Sequence, residues 1–204
     1  AGSPYRVTSS VLIGGDSVLV IEPGVEVRIG AGLGITIGSA GFGPGTLVAR
    51  GTESQPIVFT SDLQDSMVPA AGDWNAITFG DQAVDASFTA PGGAYVSGSV
   101  LEHCIVEYAG GGGTGSGAIV LSACTPWIAD VIVRDSAATG IRASLTGSPA
   151  IRIERSEFLR CAGVSAGGGL HLVGGTGHRI LDTDFRDCSG SSGGGALIDA
   201  TTVE

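Results

Sequence analysis

One ten-residue pattern occurs four times in the sequence, and this repetition restricts the possible folds more than any other feature. The copies begin 27, 25 and 27 residues apart and read LEHCIVEYAG (101–110), IADVIVRDSA (128–137), IERSEFLRCA (153–162) and ILDTDFRDCS (180–189). Each copy is followed by a second short apolar segment, in order GAIVL, GIRAS, GLHLV and GALID. A unit this short cannot bury its own apolar face and must stack on its neighbours. The sequence therefore predicts a solenoid.

The repeated segments have the character of β-strands. They are short, alternate apolar with polar residues, and are bounded by Gly, Ser and Pro. Because 36 of the 204 residues are glycine, few stretches are long enough for a helix. Two or three strands per repeat, joined by glycine turns, predict an all-β fold, a parallel β-helix of about seven coils of roughly 25 residues.

The N-terminal third carries a different series of strand motifs. They read SVLVIEPGVEVRIGAGLGITIG, then GTLVARGTESQPIVFTS, then GDWNAITF. Over roughly residues 15–110 this order resembles the opening coils of secreted bacterial proteins with right-handed parallel β-helix repeats, the pectin-lyase-like fold. The resemblance implies a right-handed helix and an extracellular or cell-surface location. It does not select a function, because this fold hosts polysaccharide lyases, glycoside hydrolases, adhesins and surface-layer modules.

The motifs divide a single domain, 1–204, into three parts: N-terminal coils in 1–80, an inserted loop in 81–98, and regular repeats in 99–204. A loop of this length is often functional, although on a solenoid it is equally often decoration. The last coil is incomplete and has no polar cap, so it would expose core and strand edges. We therefore expect either a covering segment in a longer protein or end-to-end self-association.

Charge and hydropathy narrow the range of partners. The formal net charge is −10, and every basic residue is an arginine. An acidic surface argues against nucleic acid or an anionic membrane as the main partner. No apolar run approaches the ~18 residues of a membrane span. A polysaccharide or a cell-surface glycan remains as a candidate partner.

Two cysteines occupy the same position of the repeated pattern. Cys161 and Cys188 should lie on adjacent strands, which are ~4.8 Å apart in a sheet. This separation lies within the usual range of Cα distances for a disulfide, and an exported protein would favour the bridge. The alternative is a stack of two free thiols.

At one position of the repeated pattern, which forms a column when the copies stack, two successive copies carry an acid. Glu157 and Asp184 each precede an inward-pointing phenylalanine, so by strand alternation both point outward, ~5 Å apart. Retaining glycosidases use this spacing for acid and nucleophile. With Asp182 beside them, the same acids would also suit a Ca²⁺ site made of oxygen ligands. The structural alternative is a pair of exposed acids tolerated because Arg155 and Arg186 lie nearby.

Three functions remain open. The first is a structural or adhesive module of an exported bacterial protein, without catalysis of its own. The second is a carbohydrate-binding module that uses the exposed faces and the loop 81–98. The third is a glycan-cleaving lyase or glycoside hydrolase built on Glu157, Asp184 and Asp182. Lys is absent, and only 5% of the residues are aromatic, whereas sugar clefts are usually rich in aromatic side chains. The columns of outward residues also alternate in charge, as a solvated face requires. These features favour the structural module, which needs no cofactor; the alternative is a bound Ca²⁺.

Overall fold

The computed structural model describes residues 3–65, 68–90, 92–113, 116–164 and 167–199. Within these ranges the chain consists of short β-strands and turns, with one 3₁₀ turn at Asp62–Asp65 and no α-helix. In chain order the strands are β1 (Tyr5–Val7), β2 (Val11–Ile13), β3 (Ser17–Ile21), β4 (Glu26–Ile29), β5 (Ile35–Ile37), β6 (Gly45–Arg50), β7 (Ile57–Ser61), β8 (Ile77–Phe79), β9 (Ser87–Phe88), β10 (Tyr95–Ser97), β11 (Val100–Glu102), β12 (Cys104–Glu107), β13 (Gly117–Ser122), β14 (Trp127–Ala129), β15 (Ile132–Ser136), β16 (Thr139–Ser144), β17 (Arg152–Glu154), β18 (Glu157–Gly163), β19 (Leu170–Val173), β20 (Arg179–Leu181), β21 (Asp184–Arg186), β22 (Ser189–Gly190) and β23 (Ala196–Asp199).

Nearly all these strands belong to three long parallel sheets. Sheet 1 has the order β1-β4-β7-β12-β15-β18-β21, with β22 paired beside β18. Sheet 2 has the order β2-β5-β8-β13-β16-β19-β23, and sheet 3 has the order β3-β6-β11-β14-β17-β20. The chain visits sheet 3, sheet 1 and sheet 2 in that sequence, round after round. The predicted all-β class with parallel pairing is confirmed, and the architecture is consistent with a parallel β-solenoid.

The strand register follows the sequence repeat. The first apolar residues of the four copies pair from strand to strand in sheet 3, and their central apolar residues pair in the same way in sheet 1. The two stacks are Leu101–Ile128–Ile153–Ile180 and Val106–Val133–Phe158–Phe185. All eight side chains belong to one continuous apolar core, in which only the last member of each stack is partly exposed. The apolar positions of the repeat therefore stack on one another inside the core.

Two columns of non-glycine residues with positive φ lie on either side of the sheet 1 core positions. One column has φ between 47° and 54° and consists of His103, Asp130, Arg155 and Asp182. The other has φ between 52° and 61° and consists of Tyr108, Asp135, Arg160 and Asp187. A left-handed backbone suits Asp better than most residues, and here it recurs at each round. The polar positions of the repeat therefore mark the corners of the solenoid.

These corners confirm the predicted alternation of charge. Arg155 binds Asp130 through two hydrogen bonds of 3.0 and 2.7 Å, and Arg160 binds Asp135 through two of 2.6 and 2.8 Å. Each guanidinium therefore spans two successive rounds of the chain. Such two-point contacts between a guanidinium and a carboxylate hold the two side chains in a defined orientation and also compensate their charges.

The insertion at 81–98 contains an antiparallel hairpin, β9–β10, that packs on the outer face of sheet 3. The rings of Phe88 and Tyr95 lie 6.1 and 5.5 Å from the ring of Trp127, which is 8% exposed. Arg152 places its guanidinium 4.7 Å from the Phe88 ring and donates a hydrogen bond of 2.7 Å to the Gly93 carbonyl. The hairpin is therefore anchored through a small second core outside the solenoid.

The Phe88→Ala variant is expected to loosen this hairpin without unfolding the sheets. Loss of a half-buried ring that contacts Tyr95, Trp127 and Arg152 should cost about 1–2 kcal/mol. Amide hydrogen exchange should accelerate within 85–98 and stay unchanged in the strands of sheets 1 and 2. Phe42→Ala is the matched control, because that ring is 60% exposed and should have no such effect. Equal effects of the two variants would show that the hairpin is not held by its aromatic contacts.

Candidate functional site

Glu157 and Asp184 lie next to each other on adjacent strands, as the sequence repeat predicts. Glu157 begins β18 and pairs directly with Asp184 of β21, while the next residues along, Phe158 and Phe185, stack inside the core at a ring distance of 5.1 Å. Strand alternation therefore directs both carboxylates outward from sheet 1. Glu157 is partly exposed, with 30% of its side chain accessible, and Asp184 is exposed, with 63% accessible. The structure brings the two acids together on an open surface.

Arg186 lies against both of these acids. Its Nη1 is 3.2 Å from Oε1 of Glu157, and its Nη2 is 2.6 Å from Oδ2 of Asp184. The hydrogen bond to Asp184, followed by the charge of Glu157, raises the pKa of the Arg186 guanidinium above its ordinary value. A single cation thus relieves the repulsion that two stacked carboxylates would otherwise feel.

Asp182 lies at the corner next to this pair. A surface depression of about 390 Å³ collects seven residues: Asp130, Ile132, Arg155, Ser156, Glu157, Asp182 and Asp184. Arg155 is the cation of this depression, and it is already bound to Asp130 and, at 3.1 Å, to Glu154. Within the described part of the chain, no group of three or more His, Cys, Asp or Glu side chains is arranged to hold a metal ion. The calcium hypothesis for Glu157, Asp182 and Asp184 therefore stays a prediction.

Removal of Arg186 tests whether it relieves the acid pair. The Arg186→Ala variant leaves Glu157 and Asp184 stacked without their shared cation, so its melting temperature should fall below that of the native chain. Adding Asp184→Asn to this variant should restore the loss, and high salt should shrink it by screening exposed charges. If Arg186→Ala melts like the native chain, the guanidinium does not stabilise the pair.

Two buried acids were not singled out from the sequence. Glu154 is 4% exposed and is held by Arg152 and Arg155. Burial would raise the pKa of Glu154, but the hydrogen bonds and charges of these arginines outweigh it and hold the pKa below its ordinary value. Glu107, 6% exposed, accepts hydrogen bonds from Thr60 and Arg134 at 2.8 and 2.7 Å. Because other side chains of the protein bind both buried acids, we assign these acids a role in stabilising the fold.

The cysteine pair is also brought together. Cys161 and Cys188 lie on successive rounds, since Leu159 pairs with Arg186 and Ala162 pairs with Ser189 around them. Both are free thiols in this structure; Cys161 is buried, and Cys188 is partly buried. The disulfide between them stays a prediction.

No helix in the described ranges is long and apolar enough to cross a membrane. Comparison of the chain with protein-family models, with curated proteins and with solved structures found no significant match in any of the three. The site must therefore be interpreted from its own geometry.

Proposed function

We propose that the chain is a right-handed parallel β-helix of about seven closed coils that serves as a structural or adhesive module of an exported bacterial protein. The regular order in which the chain visits three parallel sheets supports closed coils. The right hand follows from the strong preference of parallel strand connections for that sense. The module has no catalysis of its own.

The observation that carries this proposal is the engagement of the outward acids by arginine. Glu157 and Asp184 share Arg186, and Asp130 is held by Arg155. The two carboxylates of a retaining glycosidase must both reach the substrate, one as acid and one as nucleophile. Arg186 instead binds both Glu157 and Asp184, at 3.2 and 2.6 Å. The acids therefore form ion pairs that compensate charge between stacked strands.

The two ends of the sheets supply the surfaces for assembly. At one end, β1, β2 and β3 are the outermost strands, and a depression of about 460 Å³ is lined there mainly by apolar residues that include Val11, Leu19, Val27 and Ile35. At the other end, Ile198 of the outermost strand β23 is 41% exposed. Apolar surface and strand edges of this kind favour pairing with another β-helical segment. We propose that this segment belongs either to the same protein or to a second copy of the chain.

A glycan-cleaving enzyme, either a lyase or a glycoside hydrolase, is the second candidate. It is favoured by the depression that contains Glu157, Asp182 and Asp184, because paired carboxylates in a concavity are the minimum for glycoside hydrolysis. In this case Glu157 and Asp184 would act as acid and nucleophile, and Asp182 would support them or a bound Ca²⁺.

A panel of polysaccharides separates these functions. The chain should release neither new reducing ends nor unsaturated sugars from any member, and a glycan array should show no binding. Light scattering over a range of concentrations should show end-to-end association of the chain. Product formation that disappears in both Glu157→Gln and Asp184→Asn would instead establish the enzyme, and array binding without product would establish a carbohydrate-binding module.

A further inference from the structure

One histidine is completely buried between two successive connections of the solenoid. His178 has no exposed surface and ends the connection 174–178 between β19 and β20. The preceding round has the equivalent connection 145–151, between β16 and β17. Nδ1 of His178 accepts a hydrogen bond of 3.1 Å from the Ile151 backbone N–H, and Nε2 lies 2.9 Å from the Gly174 carbonyl oxygen. The ring therefore links the two connections to each other.

These two bonds fix the protonation state of the ring. A backbone N–H can only donate, so Nδ1 of His178 must present a lone pair to Ile151. A carbonyl oxygen can only accept, so Nε2 must carry the proton that faces Gly174. Only the neutral imidazole with its proton on Nε2 satisfies both partners. A second proton, on Nδ1, would face the Ile151 N–H and break the bond between the two connections.

The surroundings of His178 offer little to stabilise an imidazolium. Neither 145–151 nor 174–177 contains a charged residue. The strands joined by these connections, together with β23, which pairs with β19, contribute Arg142, Arg152, Glu154, His171, Arg179 and Asp199. Glu154 is already held by two arginines, and Asp199 is exposed. On these elements the arginines outnumber the acids, and a buried cation without a carboxylate partner is unfavourable.

The backbone that precedes His178 is able to move once the ring is released. Three of the four residues before it are glycines with φ between 69° and 78°, namely Gly174, Gly175 and Gly177. A Cβ built on Gly175 would lie 2.5 Å from Nε2 of His178, so the ring packs directly against this backbone. Glycine loses more conformational freedom on ordering than any other residue. Release of the ring therefore restores conformational freedom to this connection.

We propose that His178 is a pH-sensitive latch between successive rounds of the solenoid. The neutral ring holds the connections 145–151 and 174–178 together. When Nδ1 takes up a proton from solvent, the bond to Ile151 breaks, the imidazolium leaves its buried position, and the connections separate while the three sheets stay paired. The closed form binds one proton fewer than the open form, so opening becomes more favourable as the pH falls below ~6.5, where a free imidazole gains its proton.

Nitrogen NMR of the folded native chain follows the ring and its bond together. At about pH 7.5 the ring nitrogens of His178 should show the neutral form with its proton on Nε2. When acidification adds the second proton, the amide signal of Ile151 should shift or broaden at the same pH, while that of Val133 inside sheet 1 stays in place. A ring that becomes charged without a change at Ile151, or that stays neutral until the whole chain unfolds, would overturn the latch.

Urea unfolding of His178→Asn gives an independent measure. The Asn side-chain oxygen can accept the Ile151 N–H in place of Nδ1 but takes up no proton. The ratio of the unfolding equilibrium constants, variant over native, should fall ~3- to 10-fold from about pH 7.5 to about pH 5.5, because only the native chain loses this bond by protonation. A ratio that does not change with pH would contradict the latch. His103→Asn, at a corner of sheet 1, is the matched control and should keep the acid-induced change at the Ile151 amide.

Discussion

Replacement of Phe158 by Ala is expected to lower the free energy of unfolding by ~3–5 kcal/mol, the usual cost of removing a buried aromatic ring. The Phe158 ring has no exposed surface and packs between Val133 and Phe185 in the interior column of sheet 1. It lies 5.1 Å from the Phe185 ring with an interplanar angle of 13°. Truncation therefore leaves a cavity that rigid strands on both sides cannot close. Urea unfolding of native and variant chains measures the loss.

Phe185→Ala is the matched control, because it removes the same ring from the next position of the same column. Phe185 is only partly buried, so this variant should lose about half as much free energy. An equal or larger loss for Phe185→Ala would contradict the order of burial along the column.

The second large effect is expected at Glu154. The Glu154→Gln variant should lose ~2–3 kcal/mol, because charge-assisted hydrogen bonds are replaced by weaker ones around a buried group. The partner Arg152 is itself only 15% exposed, so solvent cannot fully replace the carboxylate. Arg155 is 46% exposed and should contribute little to the loss. Thermal and urea unfolding at neutral pH measure this change.

The loss at Glu154 should also depend on pH. Because the folded pKa lies below the ordinary value of 4.5, the carboxylate stabilises the folded chain fully above pH 4.5. That contribution is lost as the pH falls from 4.5 through the lower folded pKa, so the native chain and Glu154→Gln should converge in stability there. Glu53→Gln, which changes an acid at an exposed turn, is the matched control and should unfold like the native chain at neutral pH. A constant difference between the native chain and Glu154→Gln would show that the charge of Glu154 is not responsible.

The contacts between repeats could be predicted from the sequence, because residues one repeat apart lie next to each other on stacked strands. A repeat of 25–27 residues places Leu101 on Ile128 and Val106 on Val133, and the register of the strands agrees. The same reasoning placed Glu157 on Asp184. These positions follow from the backbone alone, so residue counting is sufficient to find them.

The sequence could not predict two kinds of contact. One depends on the path of a non-repeating segment, and the other depends on the direction of a long side chain. The packing of Phe88 and Tyr95 on Trp127 requires the fold of an insertion that has no counterpart in the repeat. The alternation of the strand indicates only that Arg152 points outward. In the structure its guanidinium binds both Glu154 and the hairpin. In the same way, the pattern placed Arg186 near the acid pair without indicating that it contacts both acids.

Calcium titration of thermal stability most directly tests whether Glu157 and Asp184 form a charge-compensated stack in a structural module. The melting temperatures of the native chain and of Asp184→Asn are compared after chelation and again with excess Ca²⁺. We expect no calcium-dependent rise in either protein and an Asp184→Asn variant that is neutral or mildly stabilised, because Arg186 can still pair with Glu157. A rise in the native chain that disappears in Asp184→Asn would mean that the folded state binds calcium through this pair, which would contradict the structural assignment.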